Sequence, residues 1–195
     1  MTYDYVMAVN KLNLAGLLIF IGVAEFLLLM LIAEALYPGY SVSRNYISDL
    51  GVGPVALIFN SSIIIMGILL IIAAALIWRL SRVFAITIAL TGIGAAGVGI
   101  FPETTHIIHL IFALIAFLFA SISSYPTIRI SRSLGRVLWP ILGTMGLIAL
   151  ILYVMHAYLG LGPGGMERMI VYPNLIWAMA FAAELMNYPH PSQKT

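Results

Sequence analysis

Three of the four histidines in this 195-residue chain fall where they could work together. His106 and His109 are three apart, a spacing that sets two side chains on one helical face, one above the other. His156, near the end of a later apolar run, approaches the same depth from the opposite chain direction. Asp49 and Glu103 precede apolar runs on that side, and Ser48 and Arg44 lie in the longest polar connection. Two or three imidazoles with a carboxylate suit zinc or a related divalent ion, with one position left for water. Such an ion would generate hydroxide near neutral pH. The expectation is therefore metal-assisted hydrolysis of a lipid-like ester or amide. His106, His109 and His156 would be the metal ligands, Asp49 or Glu103 the fourth ligand or general base, and Ser48 and Arg44 the groups holding the developing anion. The spacing itself matches no known zinc signature.

Other uses of the same residues stand beside that one. A b-type haem needs two histidines on facing helices at similar depth, and His109 with His156 would supply them. A non-enzymatic membrane subunit or lipid-organising protein needs only a polar cap over one end. In that case His106 and His109 bond loop carbonyls or headgroups, and His156 is a neutral imidazole bonded to a neighbouring helix. Ser48 or Asp49 then caps a helix start, Glu103 after Pro102 caps the fourth, and His190 is a solvated tail residue.

The elements that must position these groups follow from composition. Hydrophobic residues make up 63% of the chain and charged residues 8%, against roughly 45–50% and about 25% in soluble domains. Sixteen formal charges cannot coat a water-soluble globule of this size. Nine basic residues spread along the chain make no phosphate-binding stripe, which excludes a nucleic-acid partner. With no cysteine, disulfides, thiolate metal sites and cysteine nucleophiles are excluded. The class is all-α: one integral membrane domain over residues 1–195, a polytopic helix bundle in the cell membrane. Apolar runs bounded by charge, Pro and Gly predict six spans, at about 12–36, 55–78, 83–100, 106–128, 137–159 and 169–187. The third is short and rich in glycine (Gly92, Gly94, Gly97, Gly99), which predicts close packing against neighbours.

Six spans put both termini on one side. Lys11, Arg79, Arg82, Arg129, Arg132, Arg136 and Lys194 fall at the termini or in even-numbered connections, and only Arg44 and Arg168 in odd-numbered ones. That bias predicts cytoplasmic termini and an outward-facing pocket. Arg129, Arg132 and Arg136 form a basic rim for anionic headgroups. Glu34 sits near the outer end of the first span and Glu184 near the inner end of the last. Glu25 lies mid-span, where a carboxylate costs roughly 2.5–3.5 kcal/mol, so it should be protonated or joined to another helix by a hydrogen bond. Membrane lipids are the expected partners, and a homo-oligomer or larger membrane complex is open.

The segment Arg44-Asn-Tyr-Ile-Ser-Asp-Leu-Gly51, followed by Ile58-Phe-Asn60, then Gly99-Ile-Phe-Pro-Glu103 and His109, resembles a family of prokaryotic six-helix membrane proteins. That family is known as domain of unknown function nine-ninety-eight and is similar in turn to Frag1/DRAM-like proteins. The resemblance covers nearly the whole chain and implies fold and membrane location, with no established activity. The order serine, aspartate, then histidines also distantly resembles the CREST superfamily of seven-helix metal hydrolases. This chain departs from it in having six spans and no late His-x-x-x-His, so no catalytic residue is carried over.

Overall fold

In a computed structural model, residues 2–188 are described, with side chains from 11 to 188. His190 and Lys194 lie outside the described residues. Seven α-helices and two 3₁₀ turns make up the described chain, with no strand among them. A backbone in hydrocarbon must satisfy its own polar groups, and within a single segment only a helix does so. The helices are α1 (Thr2–Leu36), α2 (Ala56–Ile77), α3 (Arg82–Ile100), α4 (Ile107–Ile122), the one-turn α5 (Thr127–Ile130), α6 (Gly135–Val154) and α7 (Gly162–Met186). The 3₁₀ turns are Ser48–Gly51 and Glu103–Thr105. Among the described residues six stretches are long and apolar enough to cross a membrane, with α4 and α5 together forming the fourth.

The spans close into a ring. α1 packs on α2, α2 on α3, α3 on α4, α4 on α6, α6 on α7, and α7 back on α1. α3 is the most enclosed, with 61% of its apolar window buried against 22% for α6. The glycines explain that difference. A Cβ on Gly67 or on Gly92 would sit 2.6 Å from the other residue's carbonyl oxygen, so α2 and α3 touch backbone to backbone. A Cβ on Gly94 would meet the Ala116 nitrogen at 2.4 Å, which fixes α4 just as closely. Small residues allow this approach where apolar lipid gives helices no hydrophobic reason to associate. The predicted packing of the third span is thus borne out. So is the hydrogen bond expected of Glu25, whose carboxyl accepts the Ser62 hydroxyl of α2 at 2.8 Å.

The odd-numbered connections, residues 37–55, 101–106 and 155–161, gather at one end of the ring, called here the acidic end. There Tyr46 packs edge-on against Tyr153 at 5.9 Å, and the backbone of Gly164 donates to the Ser43 carbonyl at 3.1 Å. Lys11, Arg79, Arg82, Arg129, Arg132 and Arg136 lie at the other, arginine end, where Arg132 stacks on Tyr188 (4.8 Å to the ring centroid) and Glu184 accepts the Ser133 hydroxyl.

Candidate functional site

α7 begins earlier than its polarity suggests. Gly162 turns the chain at φ 76°, and Pro163 occupies the first helical turn, where its missing N–H costs nothing. Glu167 and Arg168 therefore stand on the helix, inside the bundle, with residue exposures of 4% and 3%. Arg168 is ion-paired to Glu34 of α1. It also donates to the Tyr40 hydroxyl at 2.6 Å and to the carbonyls of Gly164 (2.9 Å), Val42 (3.1 Å) and Asn45 (3.3 Å). One guanidinium thus clasps the first long connection to the last helix. Burial pushes the Tyr40 phenol up to about 12 against the pull of Arg168, so it stays a neutral acceptor.

Three acids, one from each of three elements, gather around the clasped connection. The Ile47 N–H donates to Glu167 at 2.5 Å. Asp49 accepts from the Asn45 side-chain amide at 2.8 Å and from the Tyr46 N–H at 3.1 Å, so its carboxylate braces the turn that presents it. Glu103, from the second connection, faces Asp49. Burial first, and then the neighbouring Asp49 carboxylate, push Glu103 up to about 7. Burial also raises the Tyr46 phenol. Ile47 and Leu50 are buried between these polar groups, and the Asn60 amide of α2 donates to the Gly51 carbonyl at 3.0 Å. The segment from Asn45 to Gly51 is therefore a plug, half greasy and half acidic, set into the mouth of the ring.

Below the plug runs a cavity of about 100 Å³ lined by α1, α2, α3, α4 and α7. Its walls include Val23, Phe59, Met66, Ala95, Ala113 and Trp177, and its upper end carries Glu167, Ser48 and His109. Polar groups deeper in the wall are internally satisfied. Thr91 donates to the Thr87 carbonyl at 3.0 Å. Asn174 donates to the Ser121 hydroxyl and the Ile170 carbonyl, and accepts the Trp177 indole N–H at 3.0 Å. At the upper end His109, 8% exposed, places Nδ1 at 2.8 Å from the Phe101 carbonyl. A carbonyl only accepts, so Nδ1 carries a proton, and in the neutral ring Nε2 then presents a lone pair.

The family model described as "Protein of unknown function (DUF998)" matches residues 20–184, from α1 to the last turns of α7. The chain belongs to the DUF998 family. No curated protein and no solved structure matches it. The plug residues of this DUF998 chain, Asn45 to Gly51, are among those whose sequence carried the resemblance, with Arg44, residues 58–60 and 99–103, and His109.

In this DUF998 protein the expected site residues divide. Ser48, Asp49, Glu103 and His109 meet at the acidic end. Arg44 does not: its side chain is exposed on the turn outside the plug, and the arginine that organises the site is Arg168. The shared face expected of His106 and His109 is also corrected. His106 adopts φ 50°, ψ −105° before the helix starts at Ile107, so its ring is exposed while His109 turns inward. His156 was expected one turn inside the fifth span. The helix instead ends at Val154, and His156 lies beyond it at φ 56°, exposed and bonded through Nδ1 to the Tyr158 hydroxyl at 2.8 Å.

Among the described residues no three His, Asp or Glu side chains are placed to hold a metal ion, so the three imidazoles do not converge as a zinc ligand set. Nor do His109 and His156 face each other from two helices, as axial haem ligands must. Glu34, Tyr40, Glu167 and Arg168 are the groups that sequence reasoning left out of the site. The signal was an adjacent Glu-Arg pair opening an apolar run, read as loop because Gly and Pro precede it.

Proposed function

We propose that this protein holds one hydrocarbon chain of a membrane amphiphile in its central cavity, with the polar head at the acidic end. The observation that carries the reading is the depth over which apolar residues line the cavity; its open volume of about 100 Å³ takes a few methylenes, and the side chains along it part to take the rest. From Glu167 to Ala178 on α7, and from His109 to Ala120 on α4, the lining residues span about 16 Å at the helical rise. That is roughly half of a ~30 Å hydrocarbon core, the depth of one leaflet. Along that depth the walls are apolar but for Thr91 and Asn174, both hydrogen-bonded within the bundle, and Glu167, Ser48 and His109 stand at the top. The basic residues of the arginine end support placing that end in the cytoplasm of a cell and the acidic end outside.

Trp177, 1% exposed, lines the cavity deep in the bundle and makes the test direct. With Trp78 and Trp139 replaced by Phe, it is the only indole left. Terminally brominated alkanols in proteoliposomes should quench Trp177 once the chain is long enough to reach it from the mouth. Shorter chains should not, and Ala113→Phe, which fills the cavity, should abolish the effect. Quenching that is independent of chain length and untouched by Ala113→Phe would refute the reading.

A second reading, hydrolysis at the head of the bound chain, is favoured by one observation: the Glu103 carboxyl, pushed up to about 7, stands beside Asp49. One carboxyl that keeps its proton near neutrality beside a second carboxyl is the arrangement for general acid–base catalysis. Asp49 would take a proton from water attacking an ester carbonyl, and Glu103 would protonate the leaving oxygen, giving an acid and an alcohol. Release of a chromogenic alcohol from a long-chain ester, lost in Asp49→Asn and in Glu103→Gln, would support it. An unchanged background rate in the unmodified protein would end it.

A further inference from the structure

A hydrocarbon chain gains almost nothing by leaving lipid for an apolar cavity, because both surroundings are equally greasy. Selection must therefore come from the head, and the groups at the top of the cavity define what head they can take. We propose that the cavity selects an amphiphile with a cationic amine head, bound by Glu167, His109 and Ser48 beneath the Asp49–Glu103 pair. This rests on the chain-binding reading above.

The hydrogen-bond inventory carries the argument. Glu167 is buried and lines the cavity, yet its carboxyl receives one backbone N–H, from Ile47. The cation next to it in sequence, Arg168, is committed to Glu34, Tyr40 and three loop carbonyls and does not line the cavity. A buried carboxylate whose neighbouring cation spends its hydrogen bonds elsewhere is costly, and an ammonium supplies both a second positive charge and direct donors.

His109 points the same way independently. It is more than nine-tenths buried and lines the cavity, and the Phe101 carbonyl fixes the tautomer of its neutral ring, in which Nε2 is an acceptor. Ser48 adds a hydroxyl that also accepts. The mouth thus offers acceptors in excess, and an ammonium brings three donors with no acceptor of its own. An anionic head finds the opposite: Asp49 and Glu103 stand over the site, and Arg44, the nearby cation on the first connection, is exposed outside. Acceptors and charge both select against phosphate or carboxylate heads.

The test uses the full chain with Trp177 as sole indole and compares brominated alkyl probes of equal length with three heads: amine, alcohol and carboxylate. Half-maximal quenching should occur at a concentration about tenfold lower for the amine than for the alcohol, as a charge-assisted contact predicts, with the carboxylate weakest. Glu167→Gln should bring the amine titration up to that of the alcohol, and His109→Phe should narrow the gap. Amine and alcohol quenching alike, or the carboxylate quenching best, would overturn the head assignment and leave the cavity reading standing. No quenching by any of the three would overturn the cavity reading and this proposal with it. Because the three-probe comparison needs no mutation in the site, a variant that fails to fold does not protect the proposal.

Discussion

Glu34→Gln is the sharpest test of how the acidic end is held. The substitution keeps shape and one accepting oxygen, replaces the other with an NH2 donor and removes the charge, which leaves the Arg168 guanidinium without its counter-ion. The two side chains are 4% and 11% exposed, so the pair belongs with buried ion pairs. Losing one partner of such a pair costs about 3–5 kcal/mol, whereas an exposed pair is worth about 0–1 kcal/mol. Arg168 keeps its bonds to Tyr40 and to the carbonyls of Val42, Asn45 and Gly164. The expected loss therefore lies at the lower bound, about 3 kcal/mol, which is more than a hundredfold in the folding equilibrium. Unfolding in mixed micelles by added dodecyl sulfate, followed by circular dichroism, measures it. Arg168→Met strips the three carbonyls as well and should cost more. The double variant Glu34→Gln/Arg168→Met should cost less than the sum by about 1–3 kcal/mol, because the two groups depend on each other. A Glu34→Gln loss within 0.5 kcal/mol of zero, or strict additivity in the cycle, would refute the assignment of this pair as the clasp.

Other expectations follow from single contacts. Glu103 titrates near 4.5 when unfolded and about 7 when folded, so the unfolded chain sheds its proton first and stability falls as pH rises from about 4.5 to 7. Thermal midpoints recorded across that window should lose this slope in Glu103→Gln, and an unchanged slope would assign the titration elsewhere. Gly94→Ala pushes a methyl to 2.4 Å from the Ala116 backbone nitrogen and should destabilise the bundle by about 1–3 kcal/mol, read in the same micelle titration. A neutral result would mean that α3 and α4 separate freely. Ser62→Ala removes the hydroxyl that Glu25 accepts and should cost about 0.6 kcal/mol, the mean for an interhelical hydrogen bond in a membrane; a cost above 2 kcal/mol would mean that Glu25 relies on Ser62 for far more.

The spans were legible because apolar runs of this length have few alternatives, and four of the six helix starts lie within two residues of their expected places, while α1 begins ten residues early, at Thr2. The last start was misplaced by seven, 169 against Gly162, since Gly-Pro-Gly-Gly has the composition of a loop and here works as a helix start. That single error hid Glu167 and Arg168. The fifth span was drawn to 159 because Met155, Ala157 and Leu159 are apolar, but left-handed residues at His156, Leu159 and Gly160 end the helix at Val154. The inferred depth of His156 failed for that reason. The three-residue spacing of His106 and His109 implied a shared face only if both were helical, and His106 is not. By contrast, the Glu25 bond followed from the cost of a mid-membrane carboxylate alone. Nothing local could have paired Glu34 with Arg168, which lie 134 positions apart.

That separation has a bearing on biosynthesis. Ribosomes add about 5–20 residues per second, so Glu34 waits on the order of ten seconds for Arg168 to emerge. Until then the first hairpin sits in the bilayer with an acid that has no basic companion. Threading of the final segment then neutralises that acid, anchors the opening loop and seals the circle in one event. A nascent chain halted before this point should be the form that quality-control proteases recognise.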